Sequence, residues 1–193
     1  YIPNRIGEGY GVSVSAVESL AAGGTKLIIT VDTGITATEE VERARELGVD
    51  FVITDHHECR AELPAAVAVV NPHRPDDTYP FKDLAGVGVI FKVMCALEHA
   101  LTQDPMIDCV RRLLESYADL VAIGTIADVM PICGENKIIV KLGLAMMENT
   151  ERPGLIALFR AVSGTQDDRA KAKKRSKVSS GFIGYTIAPR INA

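Results

Sequence analysis

Apolar positions follow two different rhythms along this chain. Early on they gather in short runs: "TKLIITVD" (Thr25 to Asp32), "VDFVITD" (Val49 to Asp55) and "AVAVVN" (Ala66 to Asn71). Continuous β-branched runs of this length predict strands buried on both faces. Between the first two lies "TATEEVERARELG", in which Ala37, Val41, Ala44 and Leu47 share one helical face. Thr36 with Glu39 three residues on predicts a capping box, and Gly48 stands where a C-terminal cap belongs. Strand, helix, strand predicts a βαβ unit with parallel strands and a right-handed crossover. "SVSAVESLAAGG" ahead of the first strand predicts another helix ending in glycine.

From Leu84 the period turns helical. "AGVGVIFKVMCALEHAL" predicts a buried helix, and "IDCVRRLLESYADLVAIG" one that is amphipathic and then wholly apolar. "IIVKLGLAMMEN" and "PGLIALFRAVSG" add two more, the second with Pro153 near its first turn. Residues 164–181 ("TQDDRAKAKKRSKVSSG" and the glycine before it) lack apolar periodicity and are expected to form a flexible basic loop. The expected class is α/β: a parallel sheet with flanking helices, followed by a mostly helical portion.

Composition narrows the function classes. The chain has 193 residues, is 47% hydrophobic and 24% charged, and carries a formal net charge of −4, which argues against a generic nucleic-acid coat while leaving room for a local basic groove. There is no Trp and aromatics are 5%, so a platform of stacked rings is not expected. Cys59, Cys95, Cys109 and Cys133 form no Cys-x-x-Cys pair, which disfavours a zinc ribbon and suits a reducing, cytoplasmic setting. No apolar run approaches the roughly 20 residues that span a bilayer. The chain begins at Tyr1 with no leader pattern and is expected to be an excerpt of a longer protein.

Two predicted strands end in aspartate, Asp32 and Asp55. In an open parallel sheet the ligand crevice lies beyond the carboxyl ends of the strands. Asp32 and the Asp55-His56-His57 cluster should therefore meet, and carboxylate oxygen with imidazole nitrogen suits Mn²⁺, Zn²⁺ or a related ion. Consecutive side chains on extended backbone point to opposite sides. One histidine is thus expected to be a ligand, and the other to face substrate or a carboxylate. The competing reading is an Asp-capped turn with surface histidines; two strand-end carboxylates favour the site. Asp128, after a long apolar stretch, either caps a turn or is kept for a ligand. Arg5 and Arg190 each suit a phosphate fork or a surface ion pair. "AGVGV" (Ala85 to Val89) either brings backbone amides to a phosphate or allows close packing.

"VDTGI", "VITDHHE", "VNPHRPDDTYPFKDLAGVGVIFK", "AIGTIADVMPICGENKIIVKLGL" and "IGYTIAPRINA" occur in this order. The set resembles the DHH phosphoesterase superfamily and, within it, the RecJ-type single-strand-specific exonucleases. The resemblance covers nearly the whole chain except Gln166 to Ser180. It implies a Rossmann-like catalytic domain over 1–163, with 182–193 leading toward a second domain. It implies a metal-dependent 5′-to-3′ exonuclease that hydrolyses single-stranded DNA to 5′ mononucleotides, using Mn²⁺ or Mg²⁺, two ions in the intact site. Asp32, His56 and Asp128 would be metal ligands, His57 would contact the scissile phosphate, Asp55 would support the histidines, and Arg5 and Arg190 would line the nucleic-acid side. Single-strand-binding protein and a helicase are the expected partners. The family's first motif, an Asp-x-Asp, has no match here, so the chain alone is expected to hold one ion or none and to be inactive. The alternatives are a DHH phosphodiesterase or phosphatase acting on oligonucleotides, cyclic dinucleotides or pyrophosphate, and a non-catalytic replication scaffold.

Overall fold

The computed structural model describes residues 1–3, 9–162 and 178–192. They form two compact units, Tyr1–Ile90 and Phe91–Ala193. In the first, α1 (Val14–Ala22), β1 (Leu27–Val31), α2 (Thr38–Glu46), β2 (Asp50–Thr54) and β3 (Ala68–Val70) follow in that order. The three strands make one parallel sheet in the order β1-β2-β3. Val17 of α1, Val41 and Ala44 of α2, and Val49, Phe51 and Ile53 around β2 make the core. The sheet and its connecting helix are as the apolar runs predict.

Three local expectations need correction. β1 and β3 are not covered on both faces: Ile28 and Val69 pack on the core, but Leu27, Ile29 and Val31 of β1 are about half exposed and Ala68 and Val70 of β3 are exposed. The helices share one core on one face of these strands, so their alternate residues stay uncovered. The capping box does not form either. α2 starts at Thr38 with Ala37 as its N-cap, and Thr36 contributes its carbonyl to the Thr38 N–H at 3.0 Å rather than its hydroxyl to a helix amide. Leu47, expected on the buried face, is partly exposed as the C-cap residue. Gly48 follows at φ 70°, the left-handed conformation that glycine adopts without cost.

Helix α3 (Gly86–Thr102) begins in the first unit, and the units divide within it after Ile90. It is buried early, but Leu97 and Leu101 near its end are exposed, against the expectation of burial throughout. The second unit continues with α4 (Met106–Ala127), α5 (Gly134–Glu148) and α6 (Pro153–Val162). α7 (Ser180–Phe182), a π-helical turn over Ile183–Ile187 and α8 (Ala188–Ile191) complete it. Ala122, Ile123, Val140, Met147, Leu155, Ile183 and Ile187 form its core. α4 and α5 meet at Gly143, where a Cβ would fall 2.5 Å from Ala122 Cβ. Buried Asp119 is paired with Arg152 at 2.7 Å. The expected basic loop lies largely outside the described residues. At its end, Ser180 and Gly181 are helical rather than irregular, because the Ser179 hydroxyl caps α7 by accepting from the Phe182 N–H.

Candidate metal centre

Parallel pairing sets the site. Val31 faces Thr54 across the β1–β2 ladder, so both strands end level and deliver Asp32 and Asp55 to one edge. The ladder extends through these residues: the Asp32 N–H donates to Thr54 O at 3.0 Å, and the Asp55 N–H to Val70 O at 3.1 Å. Asp32 has φ 64°. A non-glycine residue there is uncommon, and aspartate is among the few that tolerate it. That turn swings its carboxylate off the strand direction and against the start of α3. A Cβ on Gly86 would lie 2.5 Å from Asp32 Cβ and 2.6 Å from its Cα. "AGVGV" therefore serves close packing: Gly86 lies against Asp32 and Gly88 against Leu84.

Asp55 is 1% exposed and receives four hydrogen bonds. Oδ2 accepts from the Ile35 N–H at 2.9 Å; Oδ1 accepts from the N–H groups of His56 (2.8 Å) and His57 (3.3 Å) and from His57 Nδ1 (2.7 Å). Burial by itself would raise the carboxyl pKa. The Ile35 N–H and the His57 ring, with the two backbone donors after them, outweigh it and hold the group below the ordinary value. An ionised carboxylate only accepts, so His57 Nδ1 carries the proton and Nε2 is left to meet a metal or a substrate. Carboxylates that fix a ligand histidine through its second nitrogen are a recurring support in metal sites.

Asp32, His56 and His57 come together: one ligand atom from each lies within 4.8 Å of the others. His56 Nε2 is 3.1 Å from Asp32 Oδ1, its side chain 10% exposed, and the two imidazole rings are 4.6 Å apart. Asp32 Oδ1 is buried and accepts no hydrogen bond, as expected of an oxygen kept for a cation. Two imidazoles and a carboxylate suit Mn²⁺ and its neighbours, so the donor set fits a divalent ion. The alternation expected of the two histidines fails. β2 ends at Thr54, so residues 55–57 are no longer extended strand, and both rings gather near Asp32. His57 does face a carboxylate, that of Asp55. A cleft of about 300 Å³ opens beside it, lined among others by Tyr10, Thr33, Thr36, Glu40 and Glu58.

Of the remaining candidates, Asp128 and Arg190 belong to the second unit and Arg5 lies outside the described residues. Asp128 is the exposed C-cap of α4. Arg190, in α8, is exposed and donates to Thr186 O at 2.6 Å within its own helical run. Sequence reasoning passed over Asn71, buried and bonded to the His57 carbonyl at 2.9 Å. Its signal was present: "VVN" closes the third strand with a polar residue as "TVD" and "VITD" close the first two.

Residues 1–125 match the model of the DHH family, N-terminal domain. The chain is 46% identical over 193 residues to the single-stranded-DNA-specific exonuclease RecJ of Bacillus subtilis (strain 168), covering all of this chain and 22% of that protein. Among solved structures it resembles exonuclease RecJ bound to manganese, with TM-score 0.78 and 37% identity over all of this chain and 44% of that one. It also resembles RecJ in complex with Mn²⁺ from Thermus thermophilus, with TM-score 0.70 and 35% identity over 93% of this chain and 24% of that one. The chain thus spans less than half the length of these relatives. With the family model matched over most of the chain, and the Asp-His-His turn set at the sheet edge, this chain belongs to the DHH family.

Proposed function

We propose that this chain carries part of the hydrolytic centre of a metal-dependent exonuclease that degrades single-stranded DNA from its 5′ end to 5′ mononucleotides. The observation that supports this most is the gathering of Asp32, His56 and His57 within 4.8 Å, backed by buried Asp55. Asp32 and His56 hold a divalent ion, Mn²⁺ or Mg²⁺, and Asp128 is assigned as a further ligand by the family resemblance. When bound, such ions activate water near neutral pH and offset charge on the phosphate. His57 presents Nε2 to the scissile phosphate, its ring held by Asp55. Arg5 and Arg190 are assigned to the nucleic-acid side by resemblance alone. The partner is single-stranded DNA, with single-strand-binding protein and a helicase as associated proteins. A cytoplasmic setting agrees with four free cysteines. Among the described residues no helix is long and apolar enough to cross a membrane.

Asp32→Ala in the whole protein should abolish cleavage of single-stranded DNA. Near-normal rates in that variant would overturn the hydrolytic reading in favour of a scaffold. A substrate panel for the whole protein is expected to show faster turnover of long single strands than of dinucleotides, cyclic dinucleotides or pyrophosphate. The reverse order would assign the site to a small-substrate phosphodiesterase.

A further inference from the structure

Asn71 follows β3 and is 1% exposed. Both ends of its amide are engaged. Nδ2 donates to the backbone carbonyl of His57 at 2.9 Å, and Oδ1 accepts the His73 N–H at 2.8 Å. A carbonyl can only accept and a backbone N–H can only donate, so these neighbours fix which way the amide points. The Asp-His-His turn is therefore gripped from two directions. Asp55 takes the N–H groups of His56 and His57 together with the His57 ring, and Asn71 takes the His57 carbonyl.

The segment after Asn71 is built to hold it still. His73 Nε2 donates to Lys82 O at 3.2 Å, and its Nδ1 lies 3.1 Å from Glu58, the residue next to His57. Arg74 donates to Val69 O at 2.5 Å and is clamped on Asp76 at 2.6 and 2.9 Å. Lys82 closes on Asp77 at 2.8 Å.

We propose that Asn71 is a positioning residue: through the His57 carbonyl it sets where His57 Nε2 stands relative to Asp32 and His56. This deepens the hydrolytic reading above and rests on it. A group supporting a metal-site histidine typically carries roughly 10- to 100-fold in affinity or activity. Asn71 does so through the main chain, where Asp55 acts on the ring.

The test uses the whole protein with Asn71→Ala, which removes both contacts, and Asn71→Asp, which keeps the acceptor and loses the donor. Steady-state cleavage of a single-stranded oligonucleotide and calorimetric Mn²⁺ titration are read on folded protein, with circular dichroism to establish folding. The expected result is a kcat lower by roughly 10- to 100-fold with KM for the oligonucleotide within about threefold, and Mn²⁺ affinity kept within about threefold because the ion rests on Asp32 and His56. A folded variant with kcat within about twofold of the parent overturns the proposal. So does failure of both variants to fold, because Asn71 then serves the fold alone. His57→Ala is run in parallel. Full activity in that variant sinks the reading of the site itself, whereas loss of activity there with intact Asn71 variants sinks only the positioning role.

Discussion

Asp32 combines three features that local preference alone would not select: a left-handed backbone, a buried carboxylate oxygen accepting no hydrogen bond, and a glycine pressed against its Cα and Cβ. Backbone strain of this kind persists only where the surroundings over-determine it, and it gathers at functional sites. Gly86 is the surrounding that matters most. Any side chain there meets main-chain and Cβ atoms of Asp32, which cannot swing aside as a flexible side-chain end could. Gly86→Ala should therefore move the carboxylate or the start of α3. We expect Mn²⁺ affinity to fall by an order of magnitude or more, with about 1–3 kcal/mol lost in urea unfolding of the metal-free protein, the usual cost of overpacking. Calorimetry and denaturant titration measure the two effects separately. Unchanged values in both would mean that Asp32 has room the structure does not show.

At the scale of elements, the site overrides local rules wherever the two compete. The sequence around α2 offers a capping box, yet the Ile35 N–H is committed to Asp55, and the chain from Gly34 to Ala37 turns to keep that bond. Helix initiation slides to Thr38 as a result. The end of α4 tells a related story. The Val129 N–H returns to Ile126 O and the Met130 N–H to Thr125 O, the two bonds of a Schellman cap. The residue in the left-handed position, normally glycine, is Val129 at φ 57°, directly after Asp128. Left-handed backbone costs a residue with a Cβ about 1–2 kcal/mol, and glycine recovers most of this less the entropy of its freer unfolded chain. Val129→Gly should raise the stability of the metal-free protein by roughly 0.5–1 kcal/mol in urea unfolding; a loss of stability would show that Val129 makes a contact outweighing its strain. The strands, the βαβ order, Gly48 and the strand-end aspartates were all legible in sequence because each depends on residues close in the chain. The face of β1 left open, the start of α2, the gathering of both histidines and the role of Asn71 were not. The start of α2 and the role of Asn71 are decided by partners distant in the chain, Ile35 with Asp55 and Asn71 with His57. The open face of β1 depends on which face the helices cover, and the gathered histidines on where β2 ends.

For the molecule as a whole, two compact units with separate cores make metal binding a question about each unit's stability. Asp32, His56 and His57 all belong to the first unit, where the acidic cleft residues Glu40 and Glu58 also lie. A ligand that binds only the folded form stabilises it by about 2.7 kcal/mol at a hundred times its Kd. Mn²⁺ at that level should slow amide hydrogen exchange in β1 and β2 by up to roughly a hundredfold where exchange requires unfolding of the unit, and Asp32→Ala should abolish the effect. Asp128 sits in the second unit, so its assignment as a ligand can be tested by the same measurement. Asp128 is the exposed C-cap of α4, so circular dichroism is used to establish that Asp128→Ala is folded before the comparison. If it is a ligand, that variant needs more Mn²⁺ for the same protection of β1 and β2, and Mn²⁺ no longer protects the last turn of α4. Identical Mn²⁺ dependence in parent and variant would remove Asp128 from the metal centre and leave Asp32 and His56, both of the first unit, as the proposed ligands.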